Sequence, residues 1–371
     1  MNLLLLDQYS DPGGAQQALV ELLPAIRRRG WRAIVGLPGG GKLFDVVRDI
    51  GLQVERIDCG PYHSGRKSVA DMGRFLAQAP RLATQILKLA HRVEAELVYV
   101  NGPRVVPAAA LAGLKCPVMF HSHSFLPPGL SRRITGLALR RMNARVVANC
   151  EFVASPWRQF VPADKISVIL NGVAGPDGEL VRRRNGTPRI GCIGRISPEK
   201  GQREFVSAAA QIHQALPDCR FIVYGDALFG NAEAERYAEA VRLAAVELPI
   251  EFPGWVRDVY GALAELDLLL VPSVGPEATT RVILEAFAAG VPVIAFDIGG
   301  ISEVVSNGVT GVLTKSVEEM AGETVALLTG PPERREAMAK SARAEWGQRF
   351  TRENFHQQLL GAMEAWAKRS P

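Results

Sequence analysis

Short apolar runs bounded by turn-forming residues alternate along this chain with longer stretches whose apolar positions recur at helical spacing. That alternation is the pattern of βα units wound around parallel sheets, and it occurs twice. In the first half it predicts strands at 2–6, 33–37, 97–100, 118–121, 145–148 and 166–169, with helices over 15–29 and 74–92. In the second half it predicts strands at 189–193, 220–224, 250–252, 268–271, 291–295 and 311–313, with helices over 202–216 and 281–289. Between the halves, residues 171–188 are rich in Gly, Pro, Asn and Arg and have no apolar period, so they read as a linker. The stretch from 337 to 368 reads as helices.

A chain of 371 residues is long enough for about two domains, which agrees with the doubled pattern. Five cysteines, widely separated and with no CxxC spacing, suggest neither a zinc site nor a disulfide framework. The opening MNLLLLDQYSDPGG lacks a basic leader region and reads as a first buried strand. No apolar run reaches the roughly 18 residues of a membrane span, and the expected compartment is the cytoplasm. The net charge of +5 suits anionic ligands without calling for a nucleic acid partner.

Two segments carry candidate chemistry. In Gly191-Cys-Ile-Gly194-Arg195-Ile-Ser-Pro-Glu-Lys200-Gly201 a strand runs through a turn into a helix, so Arg195 and Lys200 can converge at the carboxyl end of a parallel strand. A guanidinium fork and a compact ammonium together fit a diphosphate. In Pro272-Ser273-Val-Gly-Pro-Glu277-Ala-Thr279-Thr280-Arg281-Val-Ile-Leu-Glu285, a loop with Glu277 leads into a helix carrying Glu285. The free N–H groups of that helix start attract an anion.

These segments resemble the E-x7-E region of retaining glycosyltransferases of family 4. Other pieces fall in the same order: Gly13-Gly14, Asn171-Gly172-Val173, Phe252-Pro253-Gly254-Trp255-Val256, and Gly299-Gly300-Ile301-Ser302-Glu303. The resemblance implies the α/β GT-B fold, two facing Rossmann-like doubly wound domains with a C-terminal helix crossing back to the first. The implied boundaries are 1–172 plus 350–371 for an acceptor-side domain, 173–188 for the linker, and 189–349 for a nucleotide-sugar-binding domain.

It further implies a metal-independent enzyme moving a hexose-type sugar from a nucleoside diphosphate donor to a hydroxyl acceptor, lipid-linked or polysaccharide in kind, with no cofactor. Arg195 and Lys200 would hold the diphosphate, Glu285 the ribose hydroxyls and Glu277 the donor sugar. Amides near Thr279, Thr280 and Arg281 would add contacts, and Gly13 and Gly14 would let the first loop approach the diphosphate. Trp255 and Val256 fall where the family places its nucleobase, a buried core position being the alternative for Trp255. Thr279-Thr280 depart from the Phe-Gly frequent in the family, so the identity of the donor sugar is not carried over.

In Phe120-His121-Ser122-His123, alternation puts both histidines on one face, and the resemblance implies that one of them meets the donor sugar. No third ligand at a metal-binding spacing accompanies them. Gly36-Leu-Pro-Gly-Gly-Gly41-Lys42-Leu43 approaches a P-loop, but Leu43 replaces the required hydroxyl, and the segment reads as a flexible connection. The basic stretch 130–145, read as a helix, groups Ile134, Leu137, Ala138 and Met142 on one side. It either packs on the first sheet or lies on an anionic membrane surface. The alternatives to transfer are a non-catalytic nucleotide-sugar-binding scaffold and an epimerase or phosphorylase on a related fold.

Overall fold

The computed structural model describes residues 1–11, 13–60, 69–178, 180–181, 186–227 and 232–368. The chain divides into two compact units, Met1–Asn171 with Phe355–Pro371, and Gly172–Asn354. Among the described residues thirteen strands run in chain order: β1 Asn2–Asp7, β2 Arg32–Pro38, β3 Gln53–Ile57, β4 Leu97–Asn101, β5 Val118–Ser122, β6 Arg145–Ala148, β7 Ile166–Val168, β8 Arg189–Ile193, β9 Arg220–Tyr224, β10 Ile250–Gly254, β11 Leu268–Val271, β12 Val293–Phe296 and β13 Val312–Thr314. Helices of the first unit are α1 Gly14–Arg28, α2 Leu43–Asp49, α3 Val69–Val93, α4 Val106–Leu111, α5 Leu130–Arg141 and α6 Glu151–Ala154. Those that follow are α7 Gln202–Ala215, α8 Ala232–Ala244, α9 Val259–Ala264, α10 Arg281–Ala289, α11 Val317–Thr329, α12 Pro332–Glu345 and α13 Arg352–Ala367.

Each unit contains one all-parallel sheet, in the orders β3-β2-β1-β4-β5-β6-β7 and β10-β9-β8-β11-β12-β13. Both orders reverse direction at their first strand, the arrangement of a Rossmann-like doubly wound fold. In β1, Leu3 and Leu5 face α1, α2 and α13, while Leu4 and Leu6 face α3, α4 and α5. An unbroken apolar run is therefore what a strand covered on both faces requires. In the second unit Ile190, Cys192, Phe221 and Leu270 pack with Phe205 and Ile212 of α7 and Met320 of α11.

β3 has no counterpart in the apolar-run reading. It is an edge strand of sequence QVERI with only Ile57 buried, so it shows no continuous apolar stretch. β10 continues to Gly254 through Pro253 because it too is an edge, with an irregular register between Glu251 and Gly254. Leu43 N donates to Ser10 O at 2.9 Å, and a Cβ on Gly41 would lie 2.1 Å from the same carbonyl. The end of the segment, at Gly41, is thus packed against the first loop, while Gly39 lies against the Arg56 side chain.

Residues at the start of the expected linker pack within the second unit: Trp346 Nε1 donates to Val173 O at 3.3 Å and the Tyr260 hydroxyl donates to Ala174 O. Arg182–Asn185 lie outside the described residues. The final helix belongs to the first unit, where Phe355, Leu359, Leu360 and Met363 bury against Leu3, Leu5 and Tyr99. Trp366 Nε1 donates to Val118 O at 3.2 Å, and Arg29 pairs with Glu364 at 2.7 Å.

The inner face of α5 differs from the grouping of Ile134, Leu137, Ala138 and Met142. Thr135, Gly136, Ala138 and Leu139 are buried, whereas Leu137 is 57% exposed. The cause is Gly136, whose backbone seats the Phe160 ring so closely that an added Cβ would lie 2.3 Å from Phe160 Cγ. Gly136→Ala should gain about 1 kcal/mol of helix propensity but cost about 1–3 kcal/mol of overpacking against the Phe160 ring seated on it. Urea unfolding should accordingly show net destabilisation, and a more stable variant would contradict the close packing.

Candidate functional site

In the second unit the predicted residues gather at the carboxyl ends of β8 and β11. Gly194 ends β8 with a φ of +153°, and Arg195 follows, paired with Glu199 one helical turn on. Lys200 Nζ lies 2.6 Å from Glu277 Oε1, both side chains largely covered. The second Glu277 oxygen accepts a hydrogen bond from the Thr280 hydroxyl at 3.1 Å. Thr280 is the N-cap of α10, yet its hydroxyl does not cap. A capping hydroxyl ordinarily satisfies an N–H of the first turn; here the Thr280 hydroxyl is directed to Glu277 instead, and its carbonyl accepts from Ile283 N at 3.0 Å.

Glu285 meets Arg281 at 3.7 Å within the same helix, so the charge in this otherwise apolar segment has its partner one turn away. Thr279 and Thr280 are buried. Trp255 is 55% exposed, which removes the core alternative for it, and Val256 beside it is half-buried.

Glycines set the positions of these side chains. A Cβ on Gly201 would fall 1.8 Å from Pro272 O, and one on Gly299 2.1 Å from Glu277 O. Gly300 N then donates to Glu277 O at 3.0 Å. Val274 N and Gly275 N both donate to Glu199 O at 3.1 Å, tying the Arg195 loop to the Glu277 loop. Glu199 itself, not among the predicted site residues, has its carboxyl below the usual range. Burial opposes that shift, but hydrogen bonding and the neighbouring Arg195 outweigh it. Its signal in the sequence was its spacing of four from Arg195.

The first unit holds a polar cluster of which the sequence reading found only the histidines. β1, β4 and β5 end in Asp7, Asn101 and His121-Ser122, with Asp7 in register with Asn101. Asp7 Oδ1 accepts from Gln16 Nε2 at 2.8 Å and from Tyr9 N at 2.9 Å, and Oδ2 accepts from Asn101 Nδ2 at 2.5 Å. Asn101 Nδ2 also donates to Ala15 O at 3.2 Å, which fixes the amide orientation. Asn101 Oδ1 must then accept from His123 Nε2, 2.6 Å away, so His123 carries its proton on Nε2.

The Tyr99 hydroxyl touches Asn101 Oδ1 at 3.3 Å and His121 Nδ1 at 2.5 Å. The two imidazoles lie on one face, centroids 3.8 Å apart. His121 is fully buried, with Nε2 lacking a partner among the described residues, whereas His123 is half-buried. Burial holds both rings neutral, pushing His121 well below the usual range and His123 down to about 3.

Gly13 caps α1, and a Cβ there would lie 2.8 Å from Gln16 Oε1. Gly14 is exposed with open space around it. Among the described residues no group of three His, Cys, Asp or Glu side chains could hold a metal ion. The missed residues had one legible signal: three apolar strands each finish on a polar residue.

Residues 12–174 match the model of Glycosyltransferase Family 4, and residues 187–330 match that of Glycosyl transferases group 1. The chain belongs to the family-4 glycosyltransferases. Among relatives, it is 31% identical to the D-inositol 3-phosphate glycosyltransferase of Segniliparus rotundus over 71% of this chain and 61% of that one. The chain thus spans less than two thirds of that relative's length. It is 28% identical to the 2-deoxystreptamine glucosyltransferase of Streptomyces kanamyceticus, over 80% of this chain and 84% of the relative. The structure of Anabaena HepE in complex with UDP and glucose superposes with a TM-score of 0.82 at 27% identity, covering 98% of this chain and all of that one. The two sheets are those of the family's GT-B fold.

Asp7 supplies a pH test of the buried cluster. Desolvation raises its pKa from 3.8 to about 6, hydrogen bonds from Asn101, Tyr9 and Gln16 opposing the shift. The folded chain therefore holds this proton to higher pH than the unfolded chain, and the contribution falls by up to about 3 kcal/mol as pH rises from about 4 to about 6. Asp7→Asn cannot titrate. The stability difference between the parent and this variant, from urea unfolding, should favour the parent more at pH 4 than at pH 7. Equal differences at the two pH values would remove the raised pKa.

Proposed function

We propose that this protein is a retaining, metal-independent glycosyltransferase that moves a hexose-type sugar from a nucleoside diphosphate donor to a hydroxyl acceptor. The observation that carries the reading is the Lys200–Glu277 pair beside the start of α10. An arriving diphosphate competes with Glu277 for Lys200 and draws on Arg195 and the first amides of α10. Glu277, released from Lys200 and steadied by Thr280, can then accept hydrogen bonds from sugar hydroxyls. Glu285 accepts from ribose hydroxyls, and Trp255 with Val256 lies beside the base.

As the glycosidic bond to the donor breaks, negative charge grows on the leaving diphosphate. Fixed cations and helix amides stabilise that charge without reorganising, which is why we assign no divalent metal to the reaction. Of the two histidines, His123 is assigned to the sugar, being half-exposed and held by Asn101, with His121 packed behind it. Retention follows from attack on the face the diphosphate leaves, with the acceptor proton passing to the departing phosphate. The HepE structure holds UDP and glucose, which makes a UDP-hexose the first donor to test. Relatives named for inositol phosphate and phosphatidyl-inositol acceptors direct the acceptor search to phosphorylated or lipid-borne polyols.

A thermal-shift panel of UDP, GDP, ADP and their sugar conjugates tests the donor site. A ligand at 100 times its dissociation constant should add about 2.7 kcal/mol of stability. Lys200→Ala and Glu277→Ala should each lower transfer about 10²–10³-fold while the unliganded protein stays folded. Unchanged turnover in both would refute the assignment. Gly299→Ala should also lose the nucleotide shift, because its Cβ displaces the Glu277 loop without removing any polar group.

A further inference from the structure

The outer face of α5 collects what a membrane surface recognises. At about 100° per residue, Leu130, Ile134 and Leu137 form a ridge flanked by Arg133, Arg140 and Arg141, all on one side. Leu130 is 59% and Leu137 57% exposed, and the three arginines are exposed as well. None of the three forms an ion pair with a described residue.

The ridge is preceded by the loop Phe125-Leu126-Pro127-Pro128-Gly129, whose prolines are exposed and which begins two residues after His123. Residues 101–150 contain seven Lys or Arg and no Asp or Glu. Arg140 also lines a surface cavity of about 330 Å³ with Arg158, which pairs with Glu151, and Lys165, which donates to Asn143 Oδ1.

We propose that this face docks the first unit on an anionic lipid bilayer, the leucines entering the acyl boundary and the arginines meeting lipid phosphates. The proposal rests on the glycosyl-transfer reading only for its use, the delivery of a lipid-borne acceptor to the loop after His123. Charge selects the occupant. A second copy seated symmetrically on this face would set arginine against arginine, with no acid within α5 or the loop before it to relieve the repulsion. A nucleic acid would leave the apolar ridge without a partner. A bilayer surface takes both parts, since interfacial binding adds buried apolar area to attraction for anionic headgroups.

The test is flotation of the full chain with phosphatidylcholine vesicles, with and without phosphatidylglycerol, at low and high salt. Binding should require phosphatidylglycerol and fall about fivefold for each of Arg133→Gln, Arg140→Gln and Arg141→Gln. The pair Leu130→Gln and Leu137→Gln should weaken binding further and make the remainder fully removable by salt. The nucleotide thermal shift, read on the same samples, should be unchanged in every variant.

Absence of flotation, or equal binding to neutral vesicles that ignores the arginines, overturns the docking. A concentration-dependent dimer abolished by the leucine pair also overturns it and gives the face to a second copy. Lost flotation with an intact nucleotide shift would leave the donor-site reading standing. Flotation without a nucleotide shift would leave the docking standing and remove the donor site.

Discussion

At Gly201 a side chain would place its Cβ 1.8 Å from the carbonyl of Pro272, and at Gly299 2.1 Å from that of Glu277. Nothing but glycine permits either crossing, and both residues also have the positive φ that glycine tolerates without strain. The arrangement of the second unit's site depends on these two approaches. The first brings the loop after β8 against the loop after β11, and the second sets the loop after β12 against Glu277, whose carboxylate meets Lys200 at 2.6 Å. The charged groups are supported from beneath by backbone hydrogen bonds through Glu199 and Gly300, so the ion pair can exchange partners while the loops stay fixed.

The first unit solves a different problem. Its parallel strands end together, and their last inward positions carry Asp7, Asn101 and His121, all inaccessible to solvent. A buried carboxylate without donors would cost several kcal/mol. Here Gln16, Tyr9 and Asn101 supply three, and Asn101 passes the orientation on to His123. The cluster links the start of α1, and so the Gly13 turn, to the imidazole that the proposed reaction uses. Neutral rings suit that role, since a histidine already holding Asn101 through Nε2 leaves Nδ1 to accept from a sugar hydroxyl.

Alternation in the first sheet explains why this cluster and the apolar core coexist. On the α1 and α13 side, Leu3 and Leu5 precede Asp7, Tyr99 precedes Asn101, and Met119 precedes His121. The same period that buries leucine deep in the unit brings the polar residue to the rim. α13 completes the layer, its Phe355 ring 6.2 Å from that of His121. The final helix is thus part of the histidine's surroundings as well as of the core.

The sequence by itself determined the two sets of βα units around parallel sheets, because strands buried on both faces must be apolar throughout and helices covering them must repeat at 3.6; the doubly wound order came from the family resemblance. It also singled out Arg195, Lys200, Glu277 and Glu285 as candidates, from their places in two strand-turn-helix segments and from the family resemblance. It did not reveal β3 or the path of β10, since edge strands keep polar residues and can hold a proline. The pairing of Lys200 with Glu277, the partners of Asp7 and the outward turn of Leu137 were decided only in the tertiary structure. Each depends on a contact between segments far apart in the chain, a glycine crossing, a register between strands or a ring seated on Gly136. No local pattern encodes a distance of that kind.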